Sequence, residues 1–125
     1  MVVENAPSLW QLRASGLLAG ADPDGWYADT CALVAKGLAQ VMVAKQGAQY
    51  VATAGLYSLA GQNAYLSGVA TAAELRGQGL ASVLVCHLVA ICPLPAVQLV
   101  CEGALCGFYS RLGFLPVGSV LFVRG

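Results

Sequence analysis

Charge is what this chain has least of. Among its 125 residues, six Lys and Arg balance six Asp and Glu, and only 10% of the chain is charged. A nucleic-acid or anionic-membrane partner needs a basic face, and none can be assembled from so few cations. Histidine occurs once, at His87, and the five cysteines (Cys31, Cys86, Cys92, Cys101, Cys106) include no Cys-x-x-Cys. Zinc-type ligand pairs are therefore absent and no metal is expected. Odd in number and set in apolar runs, the cysteines read as buried thiols acting as small hydrophobes. The start, Met1-Val2-Val3-Glu4-Asn5, lacks the basic and apolar blocks of a signal peptide, so a cytoplasmic protein is expected.

Long apolar runs are present but interrupted. Leu80–Cys101 carries no Asp, Glu, Lys or Arg over 22 residues, which is transmembrane length. Pro93 and Pro95 cut it, however, and His87 and Gln98 punctuate it. A buried helix followed by a buried strand accounts for the run, and no membrane span is expected. With 58% hydrophobic residues and a mean hydropathy of +0.73, part of the surface is expected to be covered by a partner, with a homodimer the simplest case.

The most informative stretch is Asn63–Ala90. An apolar run (Ala64, Tyr65, Leu66, Val69) leads through Ala72-Ala73-Glu74-Leu75 into Arg76-Gly77-Gln78-Gly79-Leu80-Ala81, then into Val83–Ala90 without Gly or Pro. This predicts strand, glycine turn and helix. The first amides of such a helix lack intrahelical partners, and the helix dipole favours negative charge there. Gly77 and Gly79 remove the Cβ atoms that would hold a phosphate away from the backbone. A tight structural turn would look similar, so the pattern alone leaves both readings open. A Gly-x-x-x-x-Gly-Lys-Ser/Thr run and a Gly-x-Gly-x-x-Gly turn are both missing, which argues against a nucleoside triphosphate or a dinucleotide.

Arg76–Ala81 resembles the Gln/Arg-x-x-Gly-x-Gly/Ala motif of the GNAT superfamily of acyl-CoA-dependent N-acetyltransferases. Downstream, Leu99–Phe114 (LVCEGALCGFYSRLGF) resembles that superfamily's closing motif. Cys101-Glu102, Ala104-Leu105, Phe108-Tyr109, Arg111 and Gly113-Phe114 are similar to the arylalkylamine (serotonin) N-acetyltransferase branch, as is Ala81-Ser82-Val83-Leu84. The resemblance spans about residues 41–118.

Taken in order, the chain predicts a helix from Leu9 to about Ala19, capped by Ser8 and ended at Gly20. Ala21–Gly25 reads as a turn, followed by a helix from Trp26 to about Leu38. Val41–Lys45 and Gln49–Ser58 form a hairpin about Gln46-Gly47, and Ala64–Thr71 is the next strand. A helix Gly79–Ile91, a strand Val97–Cys101, a short helix from Cys106 to Leu112 closed by Gly113, and a terminal strand or hairpin bending near Gly118 complete the order. Hairpins feeding a strand–helix–strand crossover predict an α/β (α+β) fold, with a mixed, mainly antiparallel sheet flanked by helices on both faces. The resemblance implies the same fold, in a single domain spanning residues 1–125. The superfamily begins with a strand, for which only Met1–Asn5 is available, so the N-terminal part is expected to be short.

The resemblance implies an acetyl-CoA-dependent N-acetyltransferase acting on a primary amine of a small molecule, by direct attack in a ternary complex. It places the coenzyme pyrophosphate on Gly77, Gln78, Gly79, Leu80 and Ala81, with Arg76 adding charge, and the pantetheine arm on the backbone of Val69 and Thr71. Tyr109 falls on the tyrosine that protonates the departing sulfur; a phenol near pKa 10 suits that task. The histidines of the arylalkylamine branch fall on Tyr65 and Ser67, neither a base at neutral pH, and the glutamate of other members falls on Asn63. A water chain past Tyr65 and Ser67, Glu102, or an amine arriving neutral would fill the role. His87 is expected to be a packing residue. The alternative reading is a non-catalytic acyl-CoA-binding or protein-interaction module of the same fold. A phosphate-binding α/β domain unrelated to CoA is the third.

Overall fold

The computed structural model describes residues 2–5, 12, 15–17, 23–58, 63–94, 96–101, 103–116 and 121–124. Its framework is a seven-stranded sheet in the order β1-β2-β3-β4-β5-β7-β6. The strands are β1 (Val2–Asn5), β2 (Ala39–Gln46), β3 (Gln49–Ser58), β4 (Asn63–Thr71), β5 (Ala96–Val100), β6 (Leu115–Pro116) and β7 (Leu121–Arg124). Every neighbouring pair is antiparallel except β4 with β5. That parallel pair is joined by the crossover through helix α2 (Leu80–Ile91), as parallel strands require.

The β2–β3 hairpin forms where the sequence puts it, because Gly47 at φ 63° supplies the left-handed residue of a tight turn. Residues 2–5, within the one stretch available for the superfamily's opening strand, form β1, antiparallel to β2 with Val2 opposite Lys45. The terminal segment is a hairpin, β6 against β7; its expected bend at Gly118 lies outside the described residues, as do Ser8 and Gly20.

Two helix limits differ from expectation. Helix α1 runs Pro23–Ala35, three residues ahead of the expected start at Trp26. Proline is accepted in a first turn, where its missing N–H has no intrahelical partner, so the supposed turn cluster opens the helix. Gly37 at φ 73° closes it early, with the Leu38 amide donating to the Leu33 carbonyl at 2.8 Å. This six-to-one bond is the Schellman closure that a left-handed glycine permits. Near the N-terminus Leu12 and Ser15 are helical, but Gly16 and Leu17 already form a turn, with Gly16 at φ 75°. The first helix therefore ends before Gly16, and its expected limits Leu9 and Ala19 lie outside the described residues.

Both sheet faces are covered. Leu84, Val85 and Leu88 of α2 are fully buried in a cluster with Met42, Ala44, Ala52, Ala54, Leu66, Val97 and Leu99. Each fully buried leucine there contributes roughly 1.5–3 kcal/mol from burial. On the opposite face Leu12 and Tyr27 pack on Val41, Val43 and Tyr50. This pairing of faces fixes side-chain direction all along the strands, since alternate residues point to opposite sides.

Helix α2 corrects the reading of His87. Val83, Cys86, His87, Ala90 and Ile91 form its outward face, and His87 is exposed rather than packed. The cysteine reading also needs correction. All five are unpaired, but only Cys101 is buried; Cys31 and Cys86 are exposed, and Cys92 and Cys106 are half-buried. No described helix is long and apolar enough to cross a membrane, and the described residues hold no cluster of three or more metal-ligating side chains.

Candidate active site

The site begins with two irregularities in β4. Its pairing with β5 covers only Asn63, Ala64 and Tyr65, opposite Ala96, Val97 and Gln98. Beyond Tyr65 the strand continues to pair with β3, through Leu66, Ser67, Ala70 and Thr71. The two parallel strands thus part company midway, leaving the β5-facing edge of β4 open from Leu66 onward. The second irregularity lies at the same place. Gly55 of β3 pairs with Ser67 while Thr53 pairs with Ala70, so β4 holds one extra residue against its neighbour. Gly68 sits within this bulge at φ 65°. A bulge turns the backbone out of the regular ladder and re-aims the amides around it. An isolated glycine inside a strand pattern marks a bulge, so Gly68 carries a signal in the sequence that the expected continuous strand Ala64–Thr71 passes over.

Residues 73–75 form a turn of 3₁₀ helix after β4, and the chain then enters the glycine turn. Gly77 has φ 84° and Gly79 φ 80°, a conformation that L side chains rarely adopt. Gly79 is the N-cap of α2; it provides no side-chain cap, and the first turn carries no acidic residue. Among the described residues, no side-chain cap therefore claims the leading amides of the helix. An added Cβ on Gly77 or Gly79 would meet no atom within 4 Å, so both positions border open space. Arg76 fastens the turn to the strand end, its Nε donating to the Thr71 carbonyl at 3.3 Å.

A cleft of about 820 Å³ joins these pieces. Its walls are Val69, Ala70 and Thr71 of β4; Leu75 to Ser82 without Gln78; and Leu105, Phe108, Tyr109, Arg111 and Leu112 around helix α3 (Cys106–Arg111). Of the residues singled out in the sequence, the cleft gathers Val69, Thr71, Arg76, Gly77, Gly79, Leu80, Ala81 and Tyr109. Gln78 is exposed in the turn without lining the cleft. Tyr65 and Ser67 alternate with the buried Ala64 and Leu66, and so face the opposite side of β4. Glu102 lies outside the described residues.

The cleft also contains residues beyond those expected at the site. Leu105, Phe108 and Leu112 fall at helical spacing and make its apolar wall, a stripe readable from their period. Arg111 was visible only as part of a motif. The described lining residues include two arginines and no carboxylate. In a chain with six cationic side chains, that is a marked concentration of positive charge.

Tyr109 is buried on α3, its ring edge-on to Phe108 at 4.9 Å between centroids and to Phe114 at 5.9 Å. Burial, with the neighbouring Cys101 adding to it, pushes the phenol up to about 12, above the value near 10 expected from sequence. Burial also pushes up the Cys101 thiol, and its contact with Cys106 adds to the shift. Tyr109 therefore keeps its proton throughout the neutral range.

An exposed phenol in the unfolded chain ionises near ~10 while the folded protein holds the proton to about 12. The stabilisation is whole below the lower value and declines as pH rises between the two, because the folded state then binds more protons. Alkaline denaturation monitored by circular dichroism should show this decline, and Tyr109→Phe should flatten it relative to the parent. Equal slopes for both proteins would remove Tyr109 as its source.

Among solved structures, an aminoglycoside 6'-N-acetyltransferase complexed with coenzyme A is similar at a TM-score of 0.81 and 14% identity, over 99% of this chain and 96% of that one. A GNAT family acetyltransferase from Brucella melitensis in complex with acetyl-CoA matches at a TM-score of 0.74 and 14% identity, covering 99% and 86%. A GNAT family N-acetyltransferase (YhbS) from Escherichia coli in complex with CoA matches at 0.71 and 21% identity, covering 98% and 79%. At such identities these likenesses establish the fold. No curated protein matches the sequence. The family model described as acetyltransferase (GNAT) family matches residues 7–114, most of the chain and both of its glycine-bearing motifs. With that match laid over a parted β4–β5 pair and a glycine-capped helix start, the chain belongs to the GNAT acetyltransferase family.

Proposed function

We propose that the protein transfers an acetyl group from acetyl-CoA to a primary amine of a small molecule, by direct attack within a ternary complex. One observation carries the reading: the uncapped start of α2, the open edge of β4 and the Tyr109 side chain border a single cleft. Acetyl-CoA supplies an activated thioester and several negative charges. The residues present fit it. Amides of Gly79, Leu80 and Ala81 meet a pyrophosphate at the positive end of the helix, with Gly77 and Gln78 completing the turn and Arg76 beside it. The volume lies in the range of ligand clefts, and the apolar wall of Leu105, Phe108 and Leu112 suits a pantetheine chain.

The division of labour follows from position. The open backbone of Val69 and the amide of Thr71, whose own carbonyl already accepts from Arg76 Nε, would pair with the pantetheine arm, and an amide of the bulge at Gly68 would face the thioester oxygen, where negative charge develops. Tyr109 offers its proton to the sulfur. At about 12 the phenol lies well above an ordinary thiol at ~8.5, so its hydroxyl works as a hydrogen-bond donor that delivers the proton only as the carbon–sulfur bond breaks. The amine approaches from the other face of β4, where half-buried Tyr65 and Ser67 flank the point at which β5 departs. A water chain past these two hydroxyls would carry its proton out to bulk solvent.

The closing motif from Cys101 to Phe114 supports the arylalkylamine branch for the coenzyme half of the site. Five unpaired cysteines fit a reducing compartment, the cytoplasm. Exposed Val83, Ile91, Val100 and Leu115 support a homodimer. Calorimetric titration with acetyl-CoA, with CoA and ADP as controls, tests the core of the proposal. Micromolar binding of acetyl-CoA is expected, and no detectable heat at millimolar ligand would refute it.

A further inference from the structure

The coenzyme carries two separate anionic groups, a pyrophosphate and a phosphate monoester on the 3′ position of its ribose. The glycine turn and Arg76 account for one of them. Arg111 is the second cation on the cleft, and it comes from a different wall, the last turn of α3. Its position is prepared locally. Gly107 lies one turn earlier on the same helix, and a Cβ added there would come within 3.7 Å of the Arg111 Nη1. The side chain thus folds back along the helix over the small residue, with its guanidinium against the helix surface. Arg111 is exposed, and no salt bridge to a described carboxylate engages it.

We propose that Arg111 is the specificity-determining residue for the 3′-phosphate, so that it selects CoA over 3′-dephospho-CoA. The inference rests on the acetyl-CoA reading above and extends it to a residue outside the glycine turn. Three considerations support it. A phosphate monoester bears close to two charges at neutral pH and loses water on entering a cleft, so it needs a fixed counter-charge. Guanidinium offers paired donors that match two phosphate oxygens, which an amide turn already engaged with a pyrophosphate cannot add. Among the described residues, no carboxylate lines the cleft to compete for that fork.

The test pairs removal of the residue with removal of the phosphate. CoA and 3′-dephospho-CoA are titrated calorimetrically into the parent, Arg111→Ala, Arg111→Lys and Arg76→Ala. The parent should bind CoA at least about tenfold more tightly than dephospho-CoA, the scale of a charge-assisted hydrogen bond. Arg111→Ala should lower CoA affinity to the dephospho-CoA level and leave dephospho-CoA binding unchanged. Arg111→Lys should fall between, because it keeps the charge and loses the fork. Arg76→Ala should weaken both ligands by the same factor. Equal weakening of both ligands by Arg111→Ala, or no change in either, would overturn the assignment while the acetyl-CoA reading stands. Failure of the parent to bind either ligand would instead sink that reading itself.

Discussion

Tyr109→Phe should lower kcat by ~100-fold or more while leaving acetyl-CoA affinity within about twofold, the pattern of a lost proton donor. The substitution removes one oxygen and keeps the ring, so the edge-on contacts with Phe108 and Phe114 persist. What is lost is the hydroxyl of a residue that lines the cleft. Because the phenol is pushed up to about 12, no alkaline limb below about pH 10 should be traceable to it, and the pH profile of the parent should not collapse on its ionisation. The experiment needs steady-state rates against a panel of primary amines together with calorimetric titration of the coenzyme. An unchanged kcat would mean that Tyr109 is a packing residue, and it would favour a protein that binds acyl-CoA without rapid turnover. A large loss of affinity would move the hydroxyl from chemistry to binding.

A second large effect is expected at Gly79. Gly79→Val should weaken acetyl-CoA binding by ~100-fold, the combined loss of two or more charge-assisted hydrogen bonds to the phosphate groups. The residue sits at φ 80°, and an added Cβ would project into empty space rather than into protein. The cost to the folded state is therefore conformational, about 1–2 kcal/mol or somewhat more for a β-branched side chain. The loss of ligand has a different cause: the new side chain occupies the volume that the pyrophosphate needs and pulls the leading amides of α2 out of alignment. A control separates the two. Gly37 has nearly the same dihedral, φ 73°, and equally open surroundings, but closes α1 away from the cleft. Gly37→Val should lower Tm by a similar amount with coenzyme binding intact. If both variants lose binding equally, the effect belongs to general destabilisation and not to a phosphate cradle.

The legibility of the site varied with how far its determinants lie apart. The glycine turn, the strand before it and the helix after it are neighbours along the chain, and their limits came out within a residue of expectation. The apolar wall opposite belongs to residues 105–112, whose helical period was also visible. That these two segments face one another across a cleft is another matter. It depends on α2 lying against β2, β3 and β4 while α3 follows β5, a strand that has already diverged from β4. No local pattern encodes that divergence apart from Gly68, whose meaning emerges only once its register against Gly55 is known.

The same distinction explains the misplaced residues. His87, Cys31 and Cys86 sit in apolar runs, which suggested burial, yet they fall on outward faces. Hydrophobic neighbours along a sequence do not fix burial; the orientation of the helix against its sheet does. Tyr65 and Ser67 lie on the same strand as Val69 and Thr71 but on its other side. A one-residue bulge between them changes which amides and side chains address the cleft.

By itself, the sequence determined what short-range chemistry can determine. Left-handed turns need glycine, an amphipathic period needs a helix, and the Arg-Gly-Gln-Gly turn with the later Phe-Tyr motif carries the resemblance to the acetyltransferase family whose model matches the chain. The tertiary structure alone decided where β4 and β5 separate, that Tyr109 is buried and so holds its proton to about 12, and that Arg111 joins Arg76 on one cleft. Those outcomes depend on strand register and on packing between elements tens of residues apart. Energies of that kind are fixed only when distant surfaces meet.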